Sequence, residues 1–320
     1  MKKLLLIVTL IINLSGCAPT SINLPKLENS HSTIYVTHLK ENAITSIHLD
    51  SDTQTKVSLP FAFSSIVQIK PGYFIASVKE ENQLYKIDLN EHLISPFMNI
   101  DTGVLDIQYD YENELLYAAN SIKNNILTID VQKKKVLNET TVGEYPSKLV
   151  LQDHQLIVLS AGSGEVFVID TENNEKHSFK VNPRPEGLHF DGKYIWIGGH
   201  GPTGQLNESV FAYDVNTGQQ IRSIKTGLMP IQISQENEAI YVISHGDHSL
   251  TKINANTFEV EQKIHIGDNP NYMIIDQNEL YVSSLDGDEV IIINKDTLEI
   301  TKKYDVKNGP FLLFKGGEMQ

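Results

Sequence analysis

One short pattern recurs along most of this chain, and it constrains the fold more than any other feature. The copy at residues 280–306 contains an apolar run at 280–282, a turn-prone stretch at 285–288 and a second apolar run at 290–293. A second turn follows, and then a stretch of alternating apolar and polar residues that ends at Val306. Short apolar runs separated by polar turns predict a meander of antiparallel β-strands.

Seven copies of this pattern can be aligned along the chain. The central residues of the first apolar run are Tyr35, Ile75, Tyr117, Ile157, Trp196, Tyr241 and Tyr281. The matching residues of the second run are Ile47, Ile87, Ile129, Ile169, Tyr213, Ile253 and Ile293. In the fifth copy these two residues lie five positions further apart than in the others, so this copy contains an insertion. A period of about 40 residues is typical of propeller blades.

A fourth strand is predicted between successive copies. Five prolines mark its start, each after a polar or glycine-containing turn: Pro146, Pro185, Pro230, Pro270 and Pro310. Ser64 and Asp106 align with this position in earlier copies. Proline has no N–H group to donate, and this costs no ladder hydrogen bond at the first position of a strand. Each copy therefore supplies four strands.

The two ends of the repeat region complement each other. The chain enters at the second strand of a unit, residues 34–37, and finishes with an unpaired first strand, residues 310–314. Joining this last strand to the N-terminal unit closes a ring and removes an exposed sheet edge. We therefore predict an all-β fold, a seven-bladed β-propeller over residues 33–320 with four antiparallel strands per blade, closed by the C-terminal strand. The alternative, an open solenoid, would leave both end units uncovered.

Several short sequences resemble a known repeat family. The runs IYVT at 34–37, IYV at 240–242 and LYV at 280–282, with Gly-x-x-Pro turns at 143–146 and 227–230, are similar to YVTN-type, WD40-like propeller repeats. This resemblance implies the propeller fold. Proteins of this kind include bacterial surface and periplasmic binding proteins and, more distantly, lactonases and streptogramin lyases. The resemblance implies no single set of catalytic residues.

The N-terminal sequence predicts the cellular location of the protein. Lys2 and Lys3 precede an apolar stretch at 4–14, which is too short to span a bilayer. The sequence Leu-Ser-Gly-Cys that ends at Cys17 resembles the bacterial lipobox. The resemblance implies that residues 1–16 are a lipoprotein signal peptide and that Cys17 becomes the acylated N-terminus. The alternative is an ordinary secretory signal, and both alternatives export the chain.

The resemblance to the lipobox implies a location at the cell membrane, on its extracytoplasmic face, in the periplasm or at the cell surface. Residues 17–32 contain two prolines and several Ser, Asn and Thr without a period, so we expect a flexible tether. Cys17 is the only cysteine, which leaves no thiol for a disulfide once it is acylated. The net charge of −14 argues against nucleic-acid binding. We expect a monomer that is attached to the membrane through its lipid.

Candidate ligand-binding residues concentrate in three neighbouring copies. In propellers, the loops between the second and third strands share one rim with the turns that enter the innermost strands. On this rim the sequence places Arg184, Glu186, His200, His245, His248, Asp286 and Asp288. His38 holds a matching position in the first copy. Loops on a rigid scaffold often carry function, but His-Gly and Asp-Gly are also ordinary residues of tight turns.

Two function classes remain open from the sequence. The regular repeat and the absence of G-x-S-x-G, H-E-x-x-H and C-x-x-C motifs favour a non-catalytic binding or scaffold protein for a partner or small ligand. The alternative is a metal-assisted lyase or lactonase that uses the rim of blades five to seven. Its histidines and aspartates could bind Zn²⁺, whereas carboxylates alone would suit Mg²⁺ or Ca²⁺. No cofactor is firmly indicated.

The predicted membrane location can be tested by replacing one residue. Cys17→Ser removes the sulfur that the lipid would modify, so the variant should leave the membrane fraction for the soluble extracytoplasmic fraction. Fractionation with mass spectrometry of the mature N-terminus measures both effects. Equal membrane retention of the variant, together with an unmodified wild-type Cys17, would contradict the lipoprotein prediction.

Overall fold

A computed structural model describes residues 21–25 and 32–316 of the chain. These residues form 29 β-strands and no α-helix, and the strands are grouped into seven sheets. The described part of the chain therefore contains no helix long and apolar enough to cross a membrane. The sheets are the blades of a seven-bladed β-propeller, which confirms the predicted fold class.

We number the blades by the copies of the repeat and give the strands from the innermost to the outermost. Blade 1 consists of β29 (Pro310–Lys315), β2 (Thr33–His38), β3 (Ala43–His48) and β4 (Gln54–Ser58). Blade 2 consists of β5 (Ser65–Lys70), β6 (Tyr73–Ser77), β7 (Gln83–Asp88), β8 (Leu93–Asn99) and the short β1 (Ile22–Asn23). Blade 3 consists of β9 (Val104–Asp110), β10 (Leu115–Asn120), β11 (Asn125–Asp130) and β12 (Lys135–Thr141).

The remaining blades follow the same order. Blade 4 consists of β13 (Pro146–Gln152), β14 (Gln155–Ser160), β15 (Glu165–Asp170) and β16 (Lys176–Lys180). Blade 5 consists of β17 (Pro185–Phe190), β18 (Tyr194–Gly199), β19 (Ser209–Asp214) and β20 (Gln220–Lys225). Blade 6 consists of β21 (Pro230–Glu236), β22 (Ala239–Ser244), β23 (Ser249–Asn254) and β24 (Val260–His265). Blade 7 consists of β25 (Pro270–Asp276), β26 (Glu279–Ser284), β27 (Glu289–Asn294) and β28 (Ile300–Asp305).

The apolar runs of the repeat form the central strands because both of their faces are covered by neighbouring blades. In β14 five of six residues are buried, whereas the outermost strand β16 has no buried residue. Apolar clusters join adjacent blades, as Ile157 of blade 4 and Ile195 of blade 5 show. Trp196 is fully buried, and its indole N–H donates a hydrogen bond of 2.7 Å to Asp191. This contact satisfies the one polar group of the ring.

The Asp or Asn after the second apolar run stabilises the turn that follows it. The Asp170 carboxylate accepts hydrogen bonds from the backbone N–H groups of Glu172 and Asn173, at 2.8 and 3.2 Å. The side-chain oxygen of Asn294 accepts from two backbone N–H groups in the same way. A short polar side chain that caps backbone donors is why these residues favour turns.

Five innermost strands begin at the predicted prolines: Pro146, Pro185, Pro230, Pro270 and Pro310. The alignment was wrong in the two blades without proline, where the innermost strands begin at Ser65 and Val104 instead of Ser64 and Asp106. A proline fixes the first position because it cannot donate to the ladder. Without it, the sequence contains no local signal for the register.

The ring closes as predicted. The last strand, β29, pairs antiparallel with β2 and places Phe314 opposite Tyr35. Their rings stack with centroids 5.0 Å apart, and Leu312, Leu313 and Phe314 are all buried. The innermost strands contact one another around the whole ring, including β29 with β25 and with β5. No gap therefore separates the first and last copies of the repeat.

Part of the predicted tether is ordered against the propeller, which corrects the prediction at residues 21–25. Ile22 and Asn23 form β1 on the outer edge of β8, and the next N–H group, of Leu24, donates to the His92 carbonyl at 2.7 Å. Leu24 is only 6% exposed because it packs into the cluster of blades 1 and 2. A strand of two residues has no period that the sequence could reveal. Cys17 and the signal peptide 1–16 lie outside the described residues.

Removal of residues 310–320 should destabilise the propeller strongly. The deletion strips the innermost strand from blade 1 and exposes Tyr35, which β29 now covers. Replacing one buried Phe by Ala alone costs about 3–5 kcal/mol, so the free energy of unfolding should fall by at least that amount. Chemical denaturation measures this loss.

A chain that lacks only residues 317–320 is the matched control, and it should change the free energy of unfolding by less than about 0.5 kcal/mol. Equal stability of the two shortened chains would show that closure by β29 does not stabilise the ring.

Candidate functional site

The loops between second and third strands lie beside the turns that enter the innermost strands, as expected for a propeller. The backbone N–H of His200 donates to the Arg184 carbonyl at 3.0 Å, and that of Asp286 donates to the Asp268 carbonyl at 3.2 Å. The same pairing joins His245 to Met229 at 3.2 Å. We call the face that these loops form the upper face. All seven ligand-binding residues predicted from the sequence lie on it.

A β-bulge occurs at the start of six innermost strands. In blade 4, Pro146 lies opposite Ser160 but Lys148 lies opposite Leu159, so one extra residue, Ser147, is accommodated between them. A one-residue shift occurs at the start of the innermost strand in blades 1, 3, 5, 6 and 7 as well. We call the residues at the second position of these strands the bulge ring: Leu105, Ser147, Glu186, Ile231, Asn271 and Phe311.

A cavity of about 580 Å³ opens on the upper face where the central channel begins, and we call it the mouth cavity. Four bulge-ring residues line it: Leu105, Ser147, Glu186 and Phe311. Its other apolar residues include Leu39, Phe61 and Phe63, and its other charged residues are Lys79, Glu80, Glu81 and Lys148. Bulges commonly re-aim side chains beside functional sites. A mostly apolar cavity of this size with a few polar groups is typical of small-molecule sites.

A buried carboxylate joins three blades beside this cavity. Asp106 accepts hydrogen bonds from the Ser65 hydroxyl at 2.7 Å and from the backbone N–H of Leu149 at 2.8 Å. Burial raises the pKa of Asp106, and the nearby ammonium group of Lys148 opposes that rise. Blades 2, 3 and 4 are therefore tied together beside the mouth cavity, with Lys148 electrostatically engaged.

Two of the predicted histidines meet at the boundary of blades 5 and 6. The rings of His200 and His245 lie edge to face with centroids 5.2 Å apart. Nδ1 of His245 lies 3.1 Å from the side-chain oxygen of Asn269. Because that oxygen can only accept, Nδ1 holds the proton and Nε2 keeps a free lone pair. Nε2 is buried without a hydrogen-bond partner among the described residues.

Asn269, which the sequence analysis missed, connects the other predicted residues. Its backbone N–H donates to Nδ1 of His248 at 2.9 Å, and its side-chain NH₂ donates to Asp286 at 3.0 Å. Asp286 also pairs with Lys40 of blade 1 at 2.9 Å. We call His200, His245, His248, Asn269 and Asp286 the rim network. The signal that could have revealed Asn269 is its place before Pro270, in the turn that enters blade 7.

Three other candidates lie outside this network. Asp288 accepts a hydrogen bond from the backbone N–H of Gly309 at 2.9 Å, which joins this loop of blade 7 to the turn that enters β29 of blade 1. Arg184 is exposed, and its carbonyl is the acceptor for His200. His38 does not join the rim, since it is 3% exposed and its Nε2 lies 2.8 Å from the hydroxyl oxygen of Thr45.

The rim network is a weak candidate for a metal centre. The described residues contain no group of three or more His, Cys, Asp or Glu side chains that could hold a metal ion. His248 and Asp286 already contact Asn269, and Asp286 also pairs with Lys40. What the geometry provides is a free imidazole lone pair on His245, beside a single further imidazole.

Glu186 links the rim network to the mouth cavity. It lines that cavity and also acts electrostatically on His245. Burial lowers the pKa of His245 and is the largest effect; the hydrogen bond to Asn269 and the charge of Glu186 raise this pKa, and His200 and His248 lower it. His245 is therefore neutral at pH 7 and does not compensate the charge of Glu186.

Comparisons with known proteins identify the fold. No protein-family profile matches the sequence, and no curated protein matches it. Among solved structures, a functionally unknown protein from Desulfotomaculum acetoxidans DSM 771 superposes with a TM-score of 0.72 at 11% identity, over 89% of this chain and 98% of that one. Apo AztD from Citrobacter koseri gives a TM-score of 0.58 at 11% identity, over 88% and 96% of the two chains.

A third solved structure is longer than this chain. Dihydro-heme d1 dehydrogenase NirN in complex with DHE gives a TM-score of 0.66 at 12% identity, over 88% of this chain. This chain spans 65% of that dehydrogenase chain. At such low identities the likeness establishes the propeller fold alone.

The lowered pKa of His245 predicts a pH dependence of stability. Above about pH 6.5 its imidazole is neutral in both the folded and the unfolded chain. As the pH falls through that value, the unfolded chain takes up the proton first, and stability is lost. The stability advantage of wild type over His245→Asn should therefore shrink between pH 7.5 and pH 5.5, as measured by chemical denaturation. A difference that stays constant, or that grows as the pH falls, would contradict the assignment of a neutral His245.

Proposed function

We propose that this protein is a non-catalytic, lipid-anchored, extracytoplasmic binding propeller that takes a small ligand in the mouth cavity. The observation that carries the proposal is the bulge ring, four of whose members line a cavity of about 580 Å³ at the channel entrance. The membrane anchor and the extracytoplasmic address rest on the Leu-Ser-Gly-Cys sequence that ends at Cys17.

The residues of the cavity support a binding role because they vary where the scaffold repeats. The central strands keep apolar side chains in every blade, whereas the bulge ring presents leucine, serine, glutamate, isoleucine, asparagine and phenylalanine at equivalent positions. A repeated scaffold with different side chains around one opening can provide shape and polarity for an asymmetric ligand.

A metal-assisted lyase or lactonase on the rim of blades 5 to 7 is the alternative proposal. The contact between His200 and His245 and the free Nε2 of His245 favour it. We place it second because catalysis of this kind needs a bound ion with several ligands, and the described residues contain no group of three or more side chains that could hold one. Binding of a small ligand in the mouth cavity requires no metal ion.

The binding proposal can be tested with a neutral aromatic probe, 2-phenylethanol, observed by saturation-transfer NMR. Ser147→Trp places a large ring at the cavity wall and should weaken binding at least about tenfold, because it fills space that the probe needs. Ser51→Trp, in an exposed turn of blade 1 outside the cavity, is the matched control and should bind as wild type does. No binding to wild type, or equal binding to all three proteins, would overturn the proposal.

A further inference from the structure

The charged groups of the mouth cavity are unequally satisfied within the fold. Each of its two ammonium groups, of Lys79 and Lys148, lies near an attractive group of the fold, but neither forms an ion pair among the described residues. Nζ of Lys79 lies 5.9 Å from the ring centroid of Tyr145, a cation–π distance, and Lys148 acts on the carboxylate of Asp106. An anionic ligand would therefore have to compete with the attraction of Lys79 to Tyr145 and of Lys148 to Asp106.

The three carboxylates of the cavity, Glu80, Glu81 and Glu186, are in the opposite situation, because no hydrogen bond or ion pair joins any of them to another described residue. Glu80 is exposed, whereas Glu186 is partly buried at the cavity wall and belongs to the bulge ring. The imidazole that lies near Glu186, His245, is neutral at pH 7 and supplies no positive charge. A partly desolvated carboxylate without a donor is costly, and a bound cation would remove that cost.

Aromatic rings form much of the remaining wall. Phe61, Phe63, Tyr145 and Phe311 line the cavity, and Phe61 packs against Tyr85 with centroids 4.1 Å apart. Phe61 and Phe63 also contact each other edge to face at 5.3 Å. Rings that are held in this way cannot turn freely. The faces of aromatic rings attract cations, and the rings also bury apolar groups.

We propose that the mouth cavity recognises a small organic ammonium ion with an apolar body, whose positive group is bound by Glu186 and whose body packs against the phenylalanine rings. This inference rests on the proposed binding function and names its ligand class. The overall charge supports it, since a protein of net charge −14 attracts cations and repels anions as they approach.

Three probes with similar aromatic bodies test the charge preference by calorimetric titration at pH 7.5: 2-phenylethylammonium, 2-phenylethanol and 3-phenylpropanoate. Wild type should bind the ammonium ion at least about tenfold more tightly than either of the others, the gain expected for a charge-assisted hydrogen bond. Glu186→Gln keeps the size of the side chain and removes its charge, so it should remove most of this preference while 2-phenylethanol binds as before; the carboxylates of Glu80 and Glu81 remain in the cavity.

Glu144→Gln is the matched control, because Glu144 is exposed on the neighbouring turn and does not line the cavity. It should keep the full preference for the ammonium ion. Equal binding of the three probes to wild type, or tightest binding of 3-phenylpropanoate, would overturn the ammonium inference. If that binding were still lost in Ser147→Trp, the proposed binding function would stand. Failure of all three probes to bind wild type would overturn both.

Discussion

The pairing of the last strand with the second is the interaction on which the rest of the structure depends. It joins segments at opposite ends of the propeller, and the backbone N–H of Leu312 donates to the Thr37 hydroxyl across 275 positions of sequence. Seven blades cover one another's faces only when this contact exists. Phe311, the residue before Leu312, lines the mouth cavity, so closure of the ring also completes the candidate site.

A second constraint separates stability from recognition within each innermost strand. Proline or another residue starts the strand, the bulge follows in six blades, and the next residues return to the apolar core. The bulged position contributes little to the ladder, so its side chain is free to differ between blades. Asp106 shows the structural use of the adjacent position, since its carboxylate ties three blades together. Glu186, at the bulged position itself, has no such contact.

The sequence revealed the blade count, the strand order and the closure because each is a matter of periodicity and pairing. It failed where period gives no information. The two-residue β1 is too short to have a period, and Asp106 was aligned with the prolines although it is a buried hydrogen-bond acceptor inside the strand. The histidines of the rim were selected by residue type, which cannot show that His38 is buried or that Asn269 connects its neighbours. Only Glu186 was both predicted and found at the mouth cavity. The other bulge-ring residues at the cavity were missed because a bulge is a feature of strand register, which residue type does not reveal.

The location of binding is the central claim of this account, and hydrogen–deuterium exchange with 2-phenylethylammonium tests it most directly. The account predicts slower exchange of backbone N–H groups in peptides that contain residues 60–64, 145–148 and 310–311, which surround the mouth cavity. Exchange in the insertion at 200–209 and in the outermost strands should not change. Protection confined to the insertion or to an outer sheet edge, with the mouth peptides unaffected, would contradict the account.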